Sequence, residues 1–197
     1  VDRAHRGQGI GTALLQDAGA QVIAAEPGNY FTPGVMDGSF FAKRGYVPKA
    51  TTWNLEVDLG GFAASESGGR AAALQQDRVL AFIEAEFGRI WRFEAAKAFE
   101  REIPTIFIEE HDGEIAGFAA HDVNNRGLGF FGPTGVKKSL RGRGIGGRLV
   151  RASLADLRRL GYRNAVIPWT DALDFYARCC GAEPAHQFTA FALDSAS

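Results

Sequence analysis

The chain has 197 residues, of which 46% are hydrophobic and 23% charged, with a net charge of -1 and a pI near 6.5. That length suits one large domain or up to two small ones, and the composition suits a buried core. The charge balance gives no electrostatic reason to expect nucleic acid or an anionic membrane as partner, and no apolar run approaches the about 20 residues that span a bilayer.

In chain order, the sequence opens on Arg6-Gly7-Gln8-Gly9-Ile10-Gly11, a glycine-rich loop running into a helix expected over 10–24. A strand near 29–31, a short helix over 39–43 and a strand over 52–59 follow. Residues 60–70 are rich in Gly, Ser and Ala and predict a linker at 60–73. Leu80, Ile83, Phe87, Ile90, Phe93 and Phe99 recur at helical spacing, so one or two helices are expected within 74–102, closed by Pro104. Thr105-Ile-Phe-Ile-Glu-Glu reads as a strand, His111-Asp112-Gly113 as a hairpin turn, and 115–123 as the returning strand. A third, irregular strand is expected over 127–136, interrupted by glycines and Pro133. Ile145, Leu149, Val150, Leu154, Leu157 and Leu160 mark an amphipathic helix that Gly161 closes. A buried strand over 164–169, a short helix over 173–180 ended by Gly181, and a strand over 187–193 complete the chain. The order from residue 74 is α-α-β-β-β-α-β-α-β, an α/β (α+β) class.

The two ends of the chain repeat each other. Val1 aligns with Val136, Arg6 with Arg141, Gly7 with Gly142, Gly9-Ile10-Gly11 with Gly144-Ile145-Gly146, and Phe40 with Phe175, without a gap. Nothing before Val1 corresponds to residues 74–135. The expected organisation is therefore the C-terminal part of a first copy (1–59), a linker (60–73) and a complete second copy (74–197). An incomplete first copy exposes sheet edges that invite a homodimer.

In Leu140-Arg141-Gly142-Arg143-Gly144-Ile145-Gly146 a strand turns straight into a helix. Glycines there free backbone N–H groups to point at one spot, and the helix start adds unpaired donors and partial positive charge, which together suit a pyrophosphate. The spacing resembles the coenzyme A signature of the GNAT N-acyltransferase superfamily, filled by Arg141, Gly144 and Gly146, and again by Arg6, Gly9 and Gly11. A second hallmark, an aromatic-Tyr pair followed by glycine, is met by Phe175-Tyr176 and Gly181. Gly142, Gly144 and Gly147 also fit a dinucleotide fingerprint. That pattern requires an apolar strand before the loop and an acidic residue closing the next strand, whereas Lys137, Lys138 and Ser139 precede the loop and 164–169 ends without a carboxylate.

The resemblance implies a mixed, mostly antiparallel twisted sheet flanked by helices, with acetyl-CoA as acyl donor and a small-molecule or peptide amine as acceptor. It places Val136, Arg141, Gly142, Arg143, Gly144, Ile145, Gly146 and Phe175 at the cofactor, with the main chain near Val136 as oxyanion donor and Tyr176 as proton donor to the leaving thiolate. The loop Arg6, Gly7, Gln8, Gly9, Ile10, Gly11 is a degenerate second cofactor loop, because Phe41 stands where Tyr176 stands in the other copy. The third strand holds no carboxylate, so Glu109, Glu110, His121, Asp122 and Asp171 remain equal candidates for a general base, beside a water-mediated base. The rival reading is a catalytically silent acyl-CoA-binding scaffold. Cys179 and Cys180 are adjacent with no CxxC partner, so neither a metal site nor a disulfide is expected, and a reducing cytoplasm is the default location.

Overall fold

Gly7 and Gly9 (φ 80° each) turn the chain through the left-handed region, where a Cβ would be strained, into α1 (Ile10–Gln21). β1 (Tyr30–Pro33), α2 (Ser39–Ala42) and β2 (Tyr46–Asp58) follow. The computed structural model describes residues 1–21, 30–33, 39–62 and 69–193. The last residues of the helix expected to reach Ala24, and residues 63–68 of the expected linker, lie outside them. β2 starts six residues before the expected 52 because Tyr46 is buried beside Phe191, with Phe40 and Phe41 packed against both. That small aromatic cluster is the core of the unit formed by Val1–Thr52 and Gln187–Ser197.

The larger unit, Trp53–His186, carries the main core. It holds β3 (Gly69–Arg70), α3 (Gln76–Phe87), α4 (Arg89–Ala96), β4 (Ile106–His111), β5 (Glu114–His121), β6 (Phe131–Val136), α5 (Ile145–Arg159), β7 (Asn164–Thr170) and α6 (Leu173–Cys180), and β8 (Glu183–Leu193) leaves it. Asp112 and Gly113, both at positive φ, make the tight turn between β4 and β5. β3, β4, β5 and β6 form one antiparallel sheet in that order. On one face Val79, Leu80, Ile83 and Ala95 of α3 and α4 are buried with Ile106, Ile108 and Phe118. On the other, Leu149, Val150, Leu154 and Leu157 of α5 are buried with Phe107, Ala119 and Phe131. The 3.6-residue period of α5 thus meets a sheet face of period two, and both are shielded from water. No helix among the described residues is long and apolar enough to cross a membrane.

Two boundaries differ from the sequence expectation. The expected linker contains β3, a two-residue strand paired with Phe107 and Ile108, and Ala71 beside it is fully buried. This is the opening strand that the apolar pattern does not reveal: Gly69 and Arg70 are a strand only because β4 offers backbone partners. The break between units also falls at 52/53 and 186/187 instead of at 59/60. Trp53–Asp58 of β2 pairs antiparallel with β7, and Leu55, Val57 and Leu59 enter the main core with Ala165 and Ile167. Conversely, β1 pairs with residues 188–191 of β8.

Candidate active site

The Arg-Gly loop builds its own geometry. Gly142 and Gly144 lie in the left-handed region (φ 80° and 78°), and Gly144 caps α5. The first intrahelical bond runs from the Arg148 N–H to the Gly144 carbonyl at 3.1 Å, so the N–H groups of Ile145, Gly146 and Gly147 have no partner within the helix. Arg141 Nε donates to the Val136 carbonyl at 3.2 Å and ties the loop to the end of β6. A Cβ built at Gly146 would sit 3.4 Å from both Phe175 Cζ and Val136 Cγ2, so this glycine admits the close packing of α5, α6 and β6. Arg143 Nη1 lies 3.0 Å from His111 Nε2 at the loop edge. Arg148 forks onto Glu109 through two hydrogen bonds, which favour its charged form.

The first loop repeats these features. Arg6 Nε donates to the Val1 carbonyl at 3.3 Å, Ala13 N–H donates to the Gly9 carbonyl at 3.0 Å, and a Cβ at Gly11 would meet Phe40 at 3.3 Å and Val1 at 3.5 Å. Phe41, at the position of Tyr176, stacks on Phe191 with ring centroids 5.3 Å apart.

β6 and β7 are joined in parallel at Phe130 and Val166, with the Val166 N–H on the Gly129 carbonyl at 3.0 Å. Among the described residues this is the one bridge between the two strands, which otherwise belong to different sheets, β7 paired with β2 and β6 with β5, so they part beyond it. Tyr176 stands near this vertex. Its ring meets Phe131 edge-on at 6.2 Å and Phe175 at 4.9 Å, and it is only 7% exposed. Burial, with smaller contributions from Cys179 and Cys180, raises its phenol well above the usual tyrosine range, so it carries its proton at neutral pH. Val136 lies at the other end of β6, five residues and about 17 Å along the strand from Phe131. The structure therefore separates Val136, which belongs with Arg141 and Phe175, from the main chain nearest Tyr176.

The candidate bases part company. Glu109 is paired with Arg148, and Glu110 with Arg78 at 2.5 Å. Asp122 is buried, receives Arg101 at 2.5 Å and accepts the Gly127 N–H at 2.8 Å, which makes it a turn anchor. His121 is fully buried under α5. Its Nε2 lies 2.9 Å from Asp156 Oδ2, its Nδ1 has no partner among the described residues, and burial lowers its pKa so that the ring stays neutral. Asp156 also receives Arg70 at 2.5 Å and Arg159 at 2.8 Å. Burial opposes its charge, but hydrogen bonds from His121 and Arg70 outweigh this and hold the carboxyl well below the ordinary range. Sequence reasoning missed this buried network, whose members lie on β3, β5 and α5. Glu109 and Glu110 border one open cleft, with Gly69, Arg70 and Arg148, and Asp171 borders another, with Asp174, Phe175 and Arg178. Trp169, near the end of β7, is 60% exposed with φ at +48°, and its backbone N–H is held by Asn54 Oδ1 at 3.1 Å.

Comparison with known proteins agrees with this geometry. The Acetyltransferase (GNAT) family profile matches residues 60–182, more than half of the chain. A glucosamine N-acetyltransferase region of a fungal multi-domain GH3 β-N-acetylglucosaminidase is similar in fold, with a TM-score of 0.73 and 20% identity over 97% of this chain and 28% of that one. A GCN5-related N-acetyltransferase from Sphaerobacter thermophilus has a TM-score of 0.71 and 22% identity over 97% of this chain and 70% of its own. A GNAT acetyltransferase from Colwellia psychrerythraea gives 0.63 and 16%, over 96% and 74%. Comparison with curated proteins gave no match. With its mixed sheet, the Arg-Gly loop capping α5 and the profile match together, the chain belongs to the GNAT acetyltransferase family.

Proposed function

We propose that the chain is an acetyl-CoA-dependent N-acetyltransferase that acts on a primary amine of a small molecule or peptide. The observation that carries this reading is Tyr176, buried and protonated beside the point where β6 and β7 part, with Phe175 leading from it to the Arg-Gly loop. The N–H groups of Gly142 to Gly146 and the guanidinium groups of Arg141 and Arg143 hold the pyrophosphate. Main-chain N–H groups of β6 near Phe131 polarise the thioester carbonyl, while Val136 packs toward the cofactor's phosphate end. The neutral amine attacks the carbonyl carbon, the C–S bond breaks, and Tyr176 protonates the departing thiolate. The amine's proton leaves through water, since β6 carries no carboxylate.

The acceptor side is read from Trp169 and the cleft with Asp171 and Asp174. The likeness to the fungal glucosamine N-acetyltransferase region makes amino sugars the first acceptors to test. An exposed indole provides a stacking face for a sugar ring, and the two carboxylates attract its ammonium. Trp169→Ala is expected to raise the acceptor KM about three- to tenfold, the equivalent of roughly 0.5–1.5 kcal/mol. Acetyl-CoA affinity should stay unchanged. An unaltered KM for every accepted amine would remove Trp169 from the acceptor site.

The first loop supports a second reading. It repeats the backbone of the Arg-Gly loop but pairs with Phe41, so it suits a cofactor-binding unit without turnover. Calorimetric titration with acetyl-CoA, with NADH as control, separates the two. One site per chain supports a single working loop, and two sites mean that the first loop also binds. Failure of the folded chain to bind acetyl-CoA at all would overturn the enzyme reading.

A further inference from the structure

Cys179 and Cys180 close α6 side by side, each half-buried and reachable from solvent. Their thiols converge on one acceptor. Cys180 Sγ donates to the Tyr176 carbonyl at 3.1 Å, and Cys179 Sγ reaches the same oxygen at 3.8 Å. Arg151 donates to the Cys179 carbonyl at 3.4 Å, and Arg178 precedes the pair in sequence.

A disulfide is not the natural use of this pair. Consecutive Cα atoms across a trans peptide lie about 3.8 Å apart, short of the roughly 4.4–6.8 Å that a disulfide spans. The left-handed cap at Gly181, whose N–H bonds to Ala177 at 3.0 Å, holds the last turn in place. Zinc does not fit either, because it requires about four ligands and the described residues contain no cluster of three or more His, Cys, Asp or Glu able to hold a metal. A pyramidal atom that already carries one substituent needs two sulfurs and no more.

We propose that Cys179 and Cys180 form a dithiol site for trivalent arsenic of the arylarsenoxide or arsenite class. With an arylarsenoxide, two As–S bonds form and the As=O bond breaks. Both thiol protons leave on that oxygen as one water, and arsenic stays trivalent, so no oxidant or reductant is required. Bridging the sulfurs withdraws both from the Tyr176 carbonyl. The site stands on the two thiols alone and holds whether or not the chain transfers an acyl group.

The test is titration of the folded full chain with phenylarsine oxide, followed by intact mass and by counting free thiols. One adduct per chain is expected, with loss of both thiols, release by excess dithiothreitol, and resistance to the same concentration of a monothiol. Cys179→Ser and Cys180→Ser should each weaken capture at least tenfold. A folded parent chain that keeps two free thiols at saturating reagent, or single-cysteine variants that hold the reagent as tightly as the parent, would overturn the proposal.

Discussion

Asp156→Ala is expected to lower the folding stability of the chain by about 3–5 kcal/mol, the cost of removing one partner from a buried ion pair. Asp156 draws together Arg70 from β3, His121 from β5 and Arg159 from its own helix. Without the carboxylate, Arg70 keeps its charge beside the Phe107 ring, 4.8 Å from its centroid, and its hydrogen bond to the Pro104 carbonyl, while the His121 ring loses its hydrogen bond to Asp156. Urea denaturation of parent and variant measures the difference, and a loss below about 1 kcal/mol would show the network to be dispensable.

The same network sets the acid limit of the fold. His121 is held neutral by burial, so below its ordinary value near 6.5 the unfolded chain binds a proton that the folded chain refuses. Asp156 is held ionised, so below the ordinary carboxyl value near 3.8 the unfolded chain again binds the extra proton. Both folded pKa values are depressed, so both contributions are present above the unfolded values and are lost as pH falls. Stability should therefore decline from about pH 6.5 and decline again below about pH 4. His121→Gln should abolish the first decline and leave the second, as read from thermal unfolding across pH.

Tyr176→Phe is expected to lower turnover about a hundredfold, the low end of what a positioned general acid supplies. Acetyl-CoA affinity should stay within about threefold, under roughly 1 kcal/mol, because the ring keeps its contacts with Phe131 and Phe175. Phe41, which aligns with Tyr176 at the sequence offset that pairs the two Arg-Gly loops, lacks the hydroxyl and packs against Phe191 and Tyr46. The readout is initial rate with a primary amine acceptor, beside calorimetric affinity for acetyl-CoA. Unchanged turnover would remove Tyr176 from the chemistry and leave it as a core aromatic.

Local patterns were legible from the residues alone. The loop Arg141 to Gly146, the helix carrying Leu149, Leu154 and Leu157, the turn at Asp112-Gly113 and the Phe175-Tyr176 pair all follow from short-range spacing, because glycine conformation and helical period are decided within a few residues. The repeat of Arg6, Gly9 and Gly11 was legible for the same reason, and its backbone matches that of the second loop. What the tertiary structure alone decided is non-local. Gly69 and Arg70 form a strand because β4 presents unpaired backbone groups, Leu55 and Val57 join the larger unit because β7 lies beside them, and His121 becomes inaccessible because Asp156 closes over it from α5. Such pairings depend on which distant surface buries an apolar side chain or satisfies a hydrogen bond, and that is settled only once the sheet has formed.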